Sequence, residues 1–241
     1  MKNIFLIAAL AGLVLFPSCY INGGTKIKYT KLPAEGKNMP VQPFTSINAV
    51  GVFNIILQSG STESVVVKNE FPEDLKISNN GDTLVITDTI SNHNNNGNHI
   101  TIIYVTYKQL KAIKTESVGQ IKTIDTIKAN TFTFEGDGVG ENILFINADS
   151  VNASENGVGA LVIAGRSRYA NIEDNGVGAL KASDFKVSIL HATVSGVGAA
   201  KVYADSAIYL NVSGVGGVKY YGPAKVMEKT TGGIGKIEHG E

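Results

Sequence analysis

The four histidines and the single cysteine, side-chain types that often carry acid–base or metal chemistry, are scattered along this 241-residue chain. None of the histidines belongs to a His-Glu-x-x-His pair, and the chain has no Gly-x-Ser-x-Gly turn. The single cysteine, Cys19, excludes an intrachain disulfide and a multi-cysteine zinc site. We therefore predict no catalytic residue, no metal and no cofactor. The histidines are His93, His99, His191 and His239.

Two aspartates keep one enzymatic alternative open. Asp184 and Asp205 occupy similar positions in successive repeats of the sequence. A pair of carboxylates is the usual equipment of enzymes that cleave glycosidic bonds. The alternative hypothesis is therefore a polysaccharide-active β-helix enzyme, a lyase or a hydrolase.

A binding surface is the stronger prediction, because basic and aromatic residues recur at matching positions of the repeats. Sugar rings dock on exposed aromatic faces, so these columns could form a ligand face for a glycan or a surface protein. Tyrosine also has a high propensity for β-strands, so the other interpretation is a solvated surface that binds no ligand. The candidate residues are Lys181, Lys201 and Lys219 in one column and Tyr203 and Tyr221 in the next.

These positions are set by a Gly-Val-Gly repeat. From Gly140 onwards the second glycines follow each other at intervals of 19, 19, 20, 18 and 19 residues, a period typical of a solenoid. Apolar residues alternate within each unit, which predicts strands. We predict an all-β, single-stranded β-helix with about 19 residues per coil, and structural turns at Gly138, Gly140, Gly157, Gly159, Gly176, Gly178, Gly196, Gly198, Gly214, Gly216, Gly233 and Gly235.

The glycines could instead cradle a phosphate or accompany calcium-binding repeats. A phosphate loop feeds a helix, and no helical pattern follows any triplet. Calcium-binding nonapeptides carry an aspartate in every unit, and the acidic residues here do not recur in that way. Turns between strands are the simpler interpretation.

Stacked coils place equivalent residues about 4.8 Å apart, so the sequence can be divided into columns. We expect three columns to fill the core. The first contains Val118, Val139, Val158, Val177, Val197, Val215 and Ile234. The second contains Ile121, Asn142, Leu161, Leu180, Ala200, Val218 and Ile237. The third contains Phe132, Val151, Ala170, Leu190, Ile208 and Met227.

The N-terminus has the pattern of an export signal. Ile4 to Phe16 is an uninterrupted apolar run of 13 residues, which is too short to cross a bilayer as a helix. Phe16-Pro17-Ser18-Cys19 resembles a bacterial lipoprotein signal in which Cys19 is lipidated, and an ordinary cleaved signal is the alternative. We predict a signal peptide at 1–18, a flexible tether at 19–40 and a solenoid domain at 41–241, with irregular coils at 41–116 and regular repeats at 117–241.

The 21 basic and 21 acidic residues balance, so we expect no nucleic-acid partner. The predicted partners are a membrane, through the lipid, and a glycan or surface protein. The charge balance does not define an oligomeric state.

The N-terminal half adds a family resemblance. The segments Phe44-Thr45-Ser46-Ile47, Gly51-Val52-Phe53-Asn54-Ile55, Gln58-Ser59-Gly60 and Asn80-Gly81-Asp82-Thr83-Leu84-Val85-Ile86, followed by the Gly-Val-Gly units, resemble the putative auto-transporter adhesin, head GIN domain family. The resemblance covers about residues 43–235. It implies a pectin-lyase-like β-solenoid from Gram-negative bacteria, often a lipoprotein, that serves cell adhesion without known catalytic residues.

Together these features predict a non-enzymatic adhesin, exported to the cell envelope as an outer-membrane lipoprotein. A purely structural envelope component without a soluble ligand is a third hypothesis.

Overall fold

A computed structural model describes residues 36–68, 75–88 and 101–240, and within these ranges the chain forms β-strands and no helix. The predicted signal peptide, Cys19, His93 and His99 lie outside the described residues. The strands are β1 Lys37–Met39, β2 Ser46–Val52, β3 Asn54–Ser59, β4 Ser64–Lys68, β5 Leu75–Asn80, β6 Thr83–Asp88, β7 Ile102–Tyr107, β8 Ala112–Thr123, β9 Ile127–Gly136, β10 Val139–Glu155, β11 Val158–Asp174, β12 Val177–Val194, β13 Val197–Val212, β14 Val215–Tyr221, β15 Lys225–Thr231 and β16 Ile234–His239.

The repeat region winds as a parallel β-solenoid of about seven turns with coils of about 19 residues, as the period predicts. Strands β10 and β11 pair from Val139 with Val158 to Glu155 with Asp174, without a register shift. The same alignment of glycine on glycine continues through β12, β13, β14 and β16. Each coil therefore lies directly on the one before it.

The second predicted column fills the interior. Leu161 stacks on Leu180 and Leu180 on Ala200, and all three side chains are buried. The third column is also buried from Phe132 to Ile208. The prediction is wrong for its last member, Met227, which is exposed. A register shift in the pairing of β13 with β15 places Val226 beside Ile208 instead.

The first predicted column is wrong as a core column. The triplet valines stack in register, but each is about half exposed, as at Val177 (51 %), and Ile234 is 80 % exposed. The reason is the tightness of the corner: the inward position is taken by Gly176, which is buried and leaves no room for a side chain. We call the resulting exposed row the valine ridge; it consists of Val52, Val118, Val139, Val158, Val177, Val197, Val215 and Ile234.

The N-terminal strands cover one end of the solenoid in an order that differs from the chain order. Strand β2 pairs in parallel with both β6 and β8, and β3 with both β7 and β8. The coil formed by β2 and β3 therefore lies between the β6–β7 coil and β8. Beyond it, β5 pairs antiparallel with β6, and β4 with β7. These antiparallel strands occupy the sheet edges that another chain could otherwise extend.

Strand β1 lies inside the segment predicted as a tether. Lys37, Asn38 and Met39 pair antiparallel with Val67, Val66 and Val65 of β4. The ordered domain therefore begins at least four residues before position 41.

Candidate functional site

The glycine corners hold neighbouring coils close enough to align their outer side chains. Gly178 has φ +151°, a region that L side chains rarely adopt, and a Cβ there would lie 1.7 Å from the carbonyl oxygen of Gly159. The amide of Val177, the central residue of the same triplet, donates a hydrogen bond to the carbonyl of Gly157 on the preceding coil at 2.9 Å. Such contacts fix the spacing of the coils and hence of any surface built on them.

The predicted ligand face is assembled by this stacking. Lys181 pairs with Lys201, Lys201 with Lys219, and Tyr203 with Tyr221. The lysines are exposed and the tyrosines half-buried. Paired residues lie about 4.8 Å apart. We call this surface the Lys–Tyr strip, defined as Lys181, Lys201, Lys219, Tyr203 and Tyr221.

The strip adjoins the valine ridge on the same outer surface. In β13 the side chains of Val197, Ala199, Lys201 and Tyr203 occupy alternate positions and all reach solvent at least in part. An apolar row, a row of small residues, a basic row and an aromatic row therefore run side by side along the solenoid. Such a surface offers apolar contact, aromatic side chains and positive charge to a ligand.

Local contacts orient the groups of the strip. The Nζ of Lys181 lies 3.6 Å from a carboxylate oxygen of Glu141, and the Nζ of Lys219 lies 5.8 Å from the ring centroid of Tyr221. The Tyr203 hydroxyl donates to Asp205 Oδ1 at 2.9 Å. This hydrogen bond raises the pKa of Tyr203. Tyr203 is thus held as a neutral phenol, and the Nζ of Lys186 covers one face of its ring, 3.5 Å from the centroid.

A buried carboxylate lies on the inner side of the glycine corners, and sequence reasoning missed it. Glu155 is buried and accepts hydrogen bonds from Asn142 Nδ2 at 3.0 Å and from the amide of Gly157 at 3.3 Å. Burial raises its pKa, the two hydrogen bonds oppose that rise, and the carboxylates of Asp174 and Asp137 add to it. The detectable signal was Asn142, the one polar residue in an apolar column.

The pKa of Asp174 is also raised by burial, against the hydrogen bond from the Gly176 amide. Within the described ranges no three His, Cys, Asp or Glu side chains are grouped to hold a metal ion.

We expect the stability of the solenoid to depend on the ionisation of Glu155. A carboxyl whose folded-state pKa is raised stabilises the fold fully below its unfolded pKa, and this contribution is lost as the pH rises through the folded pKa. The unfolding free energy of the wild type, relative to Glu155→Gln, should therefore increase as the pH falls from 7 to 4. Urea unfolding of both proteins at several pH values measures this difference in unfolding free energy. A difference that stays constant with pH would contradict the prediction.

The remaining described sequence candidates, two histidines and two aspartates, differ in their local contacts. The ring of His191 stacks on Tyr209, with centroids 4.1 Å apart, and His239 packs against Tyr220. Asp205 is held by Tyr203, whereas Asp184 is exposed within the irregular pairing between Ala182 and Val187 of β12. The two aspartates thus have different surroundings, and the structure gives no specific support to their use as a catalytic pair.

In the described part of the chain there is no helix with the length and apolarity needed to cross a membrane.

Known structures share this fold. A putative adhesin from Bacteroides fragilis superposes with a TM-score of 0.81 at 22 % identity, over 85 % of this chain and 96 % of that one. A putative lipid binding protein from Parabacteroides distasonis gives 0.66 at 19 % identity, over 86 % and 96 %. A putative adhesin from the same species gives 0.66 at 21 % identity, over 86 % and 96 %. At these identities the similarity concerns the fold alone.

Among curated proteins no significant match is found. The sequence profile of one family, described as putative auto-transporter adhesin, head GIN domain, matches residues 43–224. That range contains most of the described chain, including the Lys–Tyr strip, the valine ridge as far as Val215 and the buried carboxylates. The chain therefore belongs to the putative auto-transporter adhesin, head GIN domain family.

Proposed function

We propose that this protein is a non-enzymatic adhesin of the cell envelope that binds a glycan or a surface protein through the Lys–Tyr strip. The observation that carries the proposal is the register that stacks Lys181, Lys201 and Lys219 beside Tyr203 and Tyr221. Membership of an adhesin family supports a binding role over a catalytic one. The half-buried tyrosine rings provide apolar surface for sugar rings, and the exposed lysines beside them provide hydrogen-bond donors.

The proposal is tested by binding of the soluble domain to a glycan array and to surface proteins. The variant Tyr203→Ala/Tyr221→Ala should lose at least tenfold in affinity for a ligand of the wild type, because both stacking faces are removed. The control is Tyr209→Ala, which removes a tyrosine that stacks on His191 away from the strip. Equal binding by all three proteins would exclude the strip as the site. Release of reducing ends or unsaturated sugars from polysaccharides would contradict the non-enzymatic assignment.

Membership of the adhesin family indicates an exported protein of the cell surface. We propose further that the anchor is a lipid on Cys19 and that the membrane is the outer membrane of a Gram-negative cell. Removal of residues 1–18 removes one charged group, Lys2, which leaves 20 basic and 21 acidic residues and a net charge of −1. A surface without excess positive charge gives little attraction to anionic lipid, so acyl chains would have to supply the attachment.

Replacing Cys19 by alanine should release the protein from the membrane fraction, because the thiol is the acceptor for the lipid. Fractionation of cells followed by immunoblotting measures the change. The control is Tyr20→Ala, which leaves the thiol in place and should leave the protein in the membrane fraction. If Cys19→Ala also stays with the membranes, lipid anchoring at this residue is wrong.

A further inference from the structure

A polar groove lies at the second corner of the coils, opposite the glycine triplets. Its volume is about 580 Å³, and it runs across successive coils from β9 towards β13. Arg166, Arg168 and Lys186 supply three positive charges to its lining, and Asp149 and Asp205 supply two negative ones. Of these residues only Asp205 was a candidate from the sequence, and none belongs to the Lys–Tyr strip.

The two arginines in the groove are the only arginines of the chain; its other 19 basic residues are lysines. A guanidinium presents a planar fork that matches a carboxylate with two parallel hydrogen bonds, whereas an ammonium acts as a point charge. In the part of the chain that the structure describes, neither Arg166 nor Arg168 forms an ion pair. The Cζ of Arg168 lies 5.0 Å from the ring centroid of Tyr169, and a guanidinium over an aromatic face can still donate from its N–H edge to a ligand.

The backbone between the arginines is fixed by Ser167. Its side chain is buried, and its hydroxyl lies 2.7 Å from the carbonyl oxygen of Tyr169 and 3.2 Å from that of Asp149 on the preceding coil. Gly165 turns the chain just before, with φ +115° and no space for a Cβ against the carbonyl of Ile146. With Ser167 pointing inwards, both arginines are exposed on the outer side of the corner.

Stacking extends the positive charge along the groove. Arg166 pairs with Asn147 on the preceding coil and with Lys186 on the next, and Asn147 pairs with Lys128. The ammonium of Lys186 is itself positioned, since it donates to the carbonyl of Ser183 at 3.0 Å and lies 3.5 Å from the ring centroid of Tyr203. The cationic donors of Arg166 and Lys186 therefore lie on adjacent coils of the groove, about 4.8 Å apart along the solenoid.

The carboxylates in the groove decide which kind of anion fits. Asp149 and Asp205 would repel a densely charged polymer such as a nucleic acid or a heavily sulfated chain. They would accept hydrogen bonds from sugar hydroxyls, as would the amide oxygen of Asn147. A sugar ring that bears one carboxylate and several hydroxyls satisfies both sets of groups. We propose that this groove binds an acidic saccharide, and that Arg166 and Arg168 grip the carboxylate of its uronic or sialic acid units.

This site is separate from the Lys–Tyr strip, although Tyr203 borders both. Binding by the folded, soluble domain should be measured calorimetrically with oligogalacturonate, hyaluronan oligosaccharides and sialyllactose, each compared with its methyl ester. We expect at least one acid to bind and its ester to bind at least tenfold more weakly, because esterification removes the charge and keeps the ring. No binding of any of the three acids, or equal binding of acid and ester, would overturn the proposal.

The variant Arg166→Gln/Arg168→Gln should weaken binding of that acid at least tenfold, and Arg166→Lys/Arg168→Lys should weaken it several-fold because the charge remains and the fork is lost. The control Lys37→Gln/Lys76→Gln removes the same two charges from exposed lysines of β1 and β5, which line neither the groove nor the strip, and should stay within twofold of the wild type. An equal loss in this control would show a general charge effect and overturn the site. Thermal unfolding of each variant checks the fold. Tyr221→Ala tests the strip independently, since Tyr221 does not line the groove.

Discussion

Replacing Gly178 by alanine should destabilise the solenoid by more than about 2 kcal/mol. Its φ of +151° is strained for any residue with a side chain, and strain of this kind costs about 1–3 kcal/mol. The added Cβ would also lie 1.7 Å from the carbonyl oxygen of Gly159, so the two coils would have to move apart. Urea unfolding followed by circular dichroism measures the loss, and Gly178→Val should lose more.

The matched control is Gly217→Ala on β14. Gly217 has no positive φ, and a Cβ there would meet its nearest neighbour, the carbonyl oxygen of Lys236, at 3.5 Å, an ordinary contact. This variant should stay within about 0.5 kcal/mol of the wild type. Equal stability of the Gly178 and Gly217 variants would refute the steric account of the corners.

Leu180 and Val177 should respond very differently to truncation. Leu180 is fully buried in the second column, and Leu→Ala at such sites costs about 2–5 kcal/mol. Val177 is 51 % exposed on the valine ridge, and Val177→Ala should change stability by less than about 1 kcal/mol. The same unfolding assay compares them. A loss at Val177 as large as that at Leu180 would place the ridge in the core and contradict the structure.

The register of the coils could be predicted because the repeat itself reports it. Spacing alone pairs Leu161 with Leu180 and Lys201 with Lys219, and the structure shows these pairs. The exposure of the valines could not be inferred in the same way. Val177 and Leu180 are three residues apart, which on a regular strand means opposite faces, and β-branched character alone suggested burial. Which face a corner residue takes depends on the space inside the corner, and there only Gly176 fits.

Other features depend on contacts that a period does not encode. The N-terminal coils lack a repeat, so the insertion of β2 between β6 and β8 leaves no trace in the spacing. The predicted burial of Met227 is wrong because a single register shift ends the alignment of β15 with Ile208. The groove at the second corner was missed although its signal was present in composition, since both arginines of the chain stand at 166 and 168.

Because β10 pairs with β11 without a register shift, the number of coils could change without a change in the structure of each coil. A duplicated segment of 19 residues placed between these strands would meet the same glycines above and below, and it would need no new turn, cap or core residue. Each such copy would carry the far end about 4.8 Å further from the cap. The architecture can therefore change its reach in fixed increments while every surface on it keeps its geometry.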